Sequence, residues 1–454
     1  MKKLLLKLLL VVPIFAAGIT MGQGVPNVYQ CPFVNGNQCK VEYDMAHGAH
    51  IMYSYPYGGQ NHFSLTDVTS TTTDVRLLTS YYINDFEIFE DYVIFCGHTF
   101  ANEGLIGWFK INDFFTGLQS AFVDHTLTVL GLSDLADIEV YRDVNNYVHI
   151  AGVGSSSSSP LPHNIGFEAF GTFPMGMKYR VASFYTDVYD LTVTDNYVVY
   201  VGNYDSTGVT LYSFPKNDIF SPGLHPSVCF PVSIIPQVIE PISPENLRIV
   251  HTIQDSVATI SYRVEVSSMI PIVVASQNMV LRTYDVGVTN IQMVDAYKMT
   301  LPGHSYSDWG EVAEFKYDKA LRTYYALYKM HWSPSSSVDV VAEFDLSSGT
   351  PTSIHNYYSP LPNTNMTGFC LKNSPYYTVC GFDTPNYFSY YWQGEHGSIL
   401  NNCVTEEIMP FTQLSRVAEK SITNVHSITS FVPLNFSAVP REPQAGYGNG
   451  LICE

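Results

Sequence analysis

Along the chain, the alternation of apolar and polar positions writes the same hairpin more than once. INDFEIFEDYVIFCG (Ile83–Gly97) has a gap-free near copy, VYDLTVTDNYVVYVG (Val188–Gly202), 105 residues later. Asp85 matches Asp190, Tyr92 matches Tyr197, Gly97 matches Gly202, and apolar residues fill the positions between. The shared ending is Tyr, four β-formers and Gly, and it recurs as YVHIAG (Tyr147–Gly152) and YYTVCG (Tyr376–Gly381). Before three of these lies a short strand opened by an acid: DFEIF from Asp85, DIEVY from Asp137 and DLTVT from Asp190. Polar turns join the two halves, so each unit opens as a β-hairpin.

A third apolar stretch follows each hairpin: LIGWFKI, NIGFEAF, GVTLYSF and FSYYWQ. A more variable fourth comes next: AFVDHTLTVL, KYRVASF, SVCFPVSII and CVTEEIMPF. Two degenerate hairpins, from Asn246 and from Glu311, fill the 179 residues between Gly202 and Gly381. Six full units then begin near residues 84, 137, 190, 246, 312 and 368. Residues 40–83 supply the later strands of another, and SITNVHSITSFVPLNFS (Ser421–Ser437) supplies a lone strand. No helical period extends far enough for a helical domain. Four-stranded units at this spacing predict an all-β chain, a β-propeller of four-stranded antiparallel blades. About seven blades are expected, with six or eight as alternatives. Strands from both ends close the ring and so remove exposed edges. The expected organisation is a signal peptide over 1–22, an N-terminal extension over 23–39, the propeller over 40–440 and a tail over 441–454.

The N-terminus changes the picture of where this chain works. MKKLLLKLLLVVPIFAAGITMGQG has a positive start, a short apolar core and small residues after it, the pattern of a secretory signal peptide. No later apolar run is long enough to span a bilayer. The expected address is extracytoplasmic: secreted, periplasmic or at the cell surface. The balance of 22 basic against 41 acidic residues, net −19, offers no footprint for a phosphate backbone, so nucleic acid is excluded as a partner. Charged residues make up only 14% of the chain against 33 Tyr and 26 Phe, which suits strands with hydroxyl-rich surfaces. In an exported chain the eight cysteines are disulfide candidates. Cys370 and Cys380 flank a turn at Asn373–Pro375. Cys31 and Cys39 flank Asn35-Gly36, and that pairing needs a bulge in the hairpin. The alternative is that they are free buried thiols.

Candidate chemistry gathers at two places. In a propeller the acidic openers Asp85, Asp137 and Asp190 lie at the mouth of the central channel, with Glu245 and Asp308 or Glu311 extending the series. Such carboxylates either hold a hard cation such as Ca²⁺ or raise one another's pKa for acid–base work. The alternative is that each closes a turn with its own backbone. Loops after the second strands carry His98, Tyr204, Asp205, His331, Trp332, Phe382 and Asp383, an aromatic and polar set suited to sugars or peptides. No spacing among the fourteen His marks a metal site, and no cofactor motif occurs. TYDVGVT (Thr283–Thr289) only partly matches the Asp-box turn, and GHSYSDWG is not a nucleophile elbow. As a whole the chain resembles the uncharacterised secreted β-propeller proteins of Gram-negative bacteria. That resemblance implies a fold and an address and transfers no functional residues. The expectation is a non-enzymatic module that binds a glycan, a peptide or a partner protein. A carbohydrate-active hydrolase or lyase, and a structural part of an envelope or secretion assembly, are the alternatives.

Overall fold

The computed structural model describes residues 28–31, 36–56, 61–66, 75–79, 81–116, 122–129, 131–156, 164–184, 187–204, 208–216, 232–234, 244–251, 257–266, 276–286, 291–299, 308–333, 336–345, 352–358, 364–372, 375–383, 388–396, 411–413, 419–421, 426–428, 432–441, 444–445 and 450–453. Structural statements below concern these residues. The expected signal peptide, Asp205 and most of GSSSSSP lie outside them.

The chain is all-β, folded into seven antiparallel sheets with one short helix, α1 (Ile111–Thr116), among the described residues. After β1 (Val28–Cys31) come β2 (Gly36–Asp44), β3 (Ala49–Pro56), β4 (Asn61–Thr66) and β5 (Val75–Thr79), which form sheet I. Sheet II is β6 (Tyr81–Phe89), β7 (Tyr92–Thr99), β8 (Gly104–Lys110) and β9 (Phe122–Thr128). Sheet III is β10 (Leu132–Arg142), β11 (Val148–Ser156), β12 (Ile165–Gly171) and β13 (Met177–Phe184). Sheet IV is β14 (Val188–Val193), β15 (Tyr197–Tyr204), β16 (Gly208–Pro215) and β17 (Val232–Ile234). Sheet V is β18 (Pro244–His251), β19 (Val257–Val266), β20 (Ser276–Val286) and β21 (Ile291–Met299). Sheet VI is β22 (Asp308–Asp318), β23 (Thr323–Ser333), β24 (Ser336–Asp345) and β25 (Thr352–Tyr358). Sheet VII is β26 (Thr364–Leu371), β27 (Tyr376–Asp383) and β28 (Phe388–Glu395), completed by β1 as its fourth strand.

First strands of successive sheets touch in a closed cycle: β2 to β6, β10, β14, β18, β22, β26 and back to β2. The core lies between neighbouring sheets. Ile51, Tyr53 and Phe63 of sheet I pack on Ile83, Phe86, Phe95 and Phe109 of sheet II. Phe63 meets Phe86, Phe95 and Phe109 at ring distances of 5.4, 5.7 and 5.1 Å. Equivalent clusters join sheets II and III, III and IV, and V and VI. Each fully buried Leu, Ile or Phe in them is worth about 1.5–3 kcal/mol.

The glycine of the repeat has a local cause. The register of the first strand shifts just before the repeated acid: between Ile83 and Asp85, Leu135 and Asp137, and Val188 and Asp190. These β-bulges press the first-strand backbone onto the second. A Cβ on Gly97 would stand 1.9 Å from the Tyr82 carbonyl oxygen, and one on Gly202 2.0 Å from that of Asp187. In sheet III the glycine at that place is Gly154, paired with Leu135, rather than Gly152. There the hairpin is five residues longer, Leu135–Gly154 against Ile83–Gly97, so Tyr147 is carried out into an exposed turn and His149 takes the place of Tyr92 and Tyr197.

Beyond residue 410 the chain runs back along the outer edges of the sheets. β29 (Phe411–Gln413) pairs with β21, β30 (Glu419–Ser421) with β17, β31 (His426–Ile428) and β32 (Val432–Pro433) with β13, β33 (Ser437–Arg441) with β9, β34 (Gln444–Ala445) with β5 and β35 (Gly450–Cys453) with β1. Six sheets gain a fifth strand from this belt. Leu434 and Phe436 anchor it: Leu434 is buried in the core between sheets II and III, and Phe436 packs beside it, 6.2 Å from Trp108.

Several expectations are corrected here. Residues 40–79 hold a complete sheet rather than only later strands, because β2 pairs with β3 throughout. Ser421–Ser437 does not supply the missing strand of that unit; it runs along the edges of sheets IV, III and II. Residues assigned to the extension (23–39) and the tail (441–454) contribute paired strands. No disulfide forms between Cys370 and Cys380: Cys370 lies opposite Thr378, Cys380 opposite Gly368, and both are buried with no bond between them. Diagonal positions in a sheet are too far apart for the bond. Cys31 and Cys39 do not flank one hairpin. Cys31 pairs with Ser389 in sheet VII, whereas Cys39, a buried free thiol, pairs with Ser54 in sheet I.

Candidate functional site

Where the first strands meet, the repeat brings its acids together. Asp85, Asp137 and Asp190 do not precede their strands; each stands inside one, directly after the bulge. Asp85 accepts the N–H of Ile138 on the next sheet at 3.2 Å, and Asp137 accepts that same N–H at 3.1 Å. Asp190 accepts the N–H of Leu191 at 3.0 Å. Asp137 lies between the carboxyl groups of Asp85 and Asp190, close enough for their charges to bear on its ionisation. Lys40 of sheet I closes the row, 2.9 Å from Asp85 and 3.2 Å from Glu314 of sheet VI.

Two residues further along each strand, on the same face, is a second tier: Glu42, Glu87, Glu139, Thr192 and Lys316. Glu87 accepts the N–H of Val140 on the next sheet at 2.7 Å. Burial raises these acids. Asp85 is pushed up to about 6, Asp137 to about 7, and Glu42 and Glu139 to about 7, with neighbouring carboxylates adding to the effect. Burial alone would lower Lys316, but Glu42, Glu314 and Asp85 outweigh it and hold the ammonium charged. Enclosure is not complete drying: the side chains of Lys40 and Asp85 keep 21% and 11% of their surface. Lys40, Glu42, Glu87, Glu139, Glu314 and Lys316 were not singled out from sequence. The signal that finds them is the charge–x–charge spacing in KVE, DFE, DIE and EFK, one copy in each of four first strands. Glu314, after the shift in β22, takes the place expected for Asp308 or Glu311. Glu245 stands before the shift in β18.

Two further ion pairs bury carboxylates near the turns between first and second strands or across a sheet. Arg180 meets Glu168 at 2.8 Å within sheet III. His396 of sheet VII meets the fully buried Glu343 of sheet VI at 3.1 Å and Tyr325 at 3.0 Å. The hydrogen bond to Glu343 raises His396 above its ordinary value, against the opposing effect of burial. Other links between neighbouring sheets at this end are Arg142 to Glu90 at 2.6 Å and His47 to Asn112 at 3.0 Å.

The remaining candidates end second strands, and register puts those ends at the same end of their sheets. Tyr204 closes β15, His331 and Trp332 end β23, and Asp383 closes β27. His98, near the end of β7, stacks on Tyr82 at 4.7 Å, and its Nδ1 donates to the Thr99 carbonyl at 3.0 Å. Among the described residues no group of three or more His, Cys, Asp or Glu is arranged to hold a metal ion, and no helix is long and apolar enough to cross a membrane. No protein-family model matches the chain, and no curated protein matches it in sequence.

Proposed function

We propose that the seven sheets are the blades of a β-propeller, and that the exported protein is a binding module for a glycan, a peptide or a partner protein. The observation that carries this reading is the closed cycle of first-strand contacts; blades set around such a cycle would bring their second-strand ends to one face. Several loops converging on one face make a concave, chemically mixed surface, the usual setting of a ligand site. The inner carboxyl groups support binding over catalysis. Glycoside cleavage needs two carboxyl groups facing a shared substrate cleft, whereas Asp85, Asp137 and Asp190 spend oxygens on backbone N–H groups. Export rests on the N-terminal MKKLLLKLLL segment.

A screen of the mature chain on a glycan array, beside pulldown from an extracellular fraction, tests the reading. Saturable binding without turnover is expected. Cleavage of a glycoside that is abolished by Asp137→Asn would replace this reading with the hydrolase.

A further inference from the structure

The turn between β7 and β8 presents Phe100 with 61% of its surface exposed. The turn is held by several bonds. The Asn102 N–H donates to the Thr99 carbonyl at 2.9 Å, and the Thr99 N–H donates to the Glu103 carbonyl at 2.9 Å. The Thr99 hydroxyl oxygen accepts from the N–H groups of Ala101 and Glu103 at 3.2 and 3.3 Å. Asn102 adopts φ +55°, a left-handed conformation that Asn tolerates. A large apolar ring is thus fixed in water by a bonded turn instead of folding back onto the sheet.

Phe100 does not stand alone. Its ring meets Tyr82 edge-on at 4.9 Å, and Tyr82 stacks on His98 at 4.7 Å, so three rings form one continuous surface. The other large apolar side chains exposed at turns, Met45, Val144, Tyr147, Met175 and Tyr376, sit at the opposite end of their sheets. The polar margin is made of acceptors. With Nδ1 donating to Thr99, Nε2 is the ring nitrogen left to meet a ligand. Gly104, opposite His98, brings the Asp134 backbone close, and Asn84 donates to the Asp134 carboxylate at 2.5 Å and to the Leu135 carbonyl at 2.8 Å. Residues 81–84, 98–104 and 131–135 contain no Lys or Arg.

We propose that Tyr82, His98 and Phe100 form a docking platform for a neutral sugar. The C–H face of a pyranose would lie on Phe100, and its hydroxyl groups would donate to His98 Nε2 and the adjacent oxygens. An acceptor-rich margin without cations suits hydroxyl donors and repels phosphate, sulfate or carboxylate ligands. This site rests on the binding-module reading and gives it a ligand class.

The test applies the full mature chain to an array of neutral cello-, xylo-, manno- and chito-oligosaccharides, and titrates the best binder against wild type, Phe100→Ala, Phe100→Trp and His98→Ala. Phe100→Ala is expected to weaken binding about tenfold or more with Tm unchanged, since the ring is exposed. Phe100→Trp should retain binding, and His98→Ala should lose part of it. Wild-type binding that Phe100→Ala leaves intact overturns the platform and leaves the module reading standing. Wild type that binds none of the neutral sugars overturns the platform; if pulldown also returns nothing, the module reading fails with it. Binding confined to cationic peptides would assign the rings to cation–π contacts and overturn the sugar.

Discussion

At the inner edges of the sheets, Lys40, Asp85 and Glu87 reach from one sheet to the next; at the outer edges a single stretch, Phe411–Cys453, pairs with six of them. The inner links are side chains, several of them carboxyl groups held near or above pH 6 by burial. The outer links are backbone hydrogen bonds with one apolar anchor at Leu434 and Phe436. The first kind depends on protons and the second does not. Acidity should therefore act on the inner edge, and cutting the chain should act on the outer.

The largest effect is expected from ending the chain at residue 410. That removes β29 to β35, strips the outer partner from six sheets and leaves β1 paired on one side only. Exposed strand edges also invite association. The truncated protein should aggregate, or melt more than ~10 °C below the full chain by differential scanning fluorimetry. An unchanged melting curve would show that the belt is ornamental and break the comparison. Leu434→Ala is the milder version. Leu434 is buried at 6% exposure, and its N–H donates to the Met177 carbonyl at 3.0 Å. Loss of its side chain should cost about 2–4 kcal/mol in urea unfolding, with no dependence on pH.

On the inner side, Lys40→Met removes the cation between Asp85 and Glu314. The expected cost is about 1–3 kcal/mol at pH 8. At pH 5 it should shrink, because Asp85, pushed up to about 6, then holds a proton and needs no counter-charge. Equal losses at both pH values would mean that Lys40 acts through packing alone.

The two edges also differ in how much of them was legible. The first strands carry alternating apolar and charged residues, and the repeat of Asp85, Asp137 and Asp190 marks their shared place. Proximity of these three acids followed from the repeat; their bonds did not, since the bulge that sets them inside the strand leaves only a glycine as its trace. Even that trace misled in sheet III, where a longer hairpin moves the functional glycine from Gly152 to Gly154. β2 was missed because Lys40 and Glu42 interrupt its apolar character. The belt was illegible for a plain reason. Its strands are two to five residues long and sit on edges already built, so no period of two can develop in them. The cysteine pairs were read from sequence neighbours, and pairing register overruled them.

Ionisation of the inner row has a definite sign. Asp137 moves from an ordinary 3.8 to about 7, and Glu42 and Glu139 from 4.5 to about 7. Between those limits the folded chain holds protons that the unfolded chain has released, so their contribution is complete below about pH 4 and is lost as pH rises through about 7. His396, raised by Glu343, acts in the same sense. His149, lowered by burial, opposes it, and its cost appears as pH falls below 6.5. The direct test is Tm at pH 5 and pH 8 for wild type and Asp137→Asn, whose amide oxygen can still accept the Ile138 N–H but cannot ionise. Wild type should melt several degrees higher at pH 5, and Asp137→Asn should narrow that gap by stabilising the protein at pH 8. A wild type at least as stable at pH 8, or a gap that Asp137→Asn leaves whole, would contradict an inner edge whose buried carboxyl groups hold protons in the folded chain.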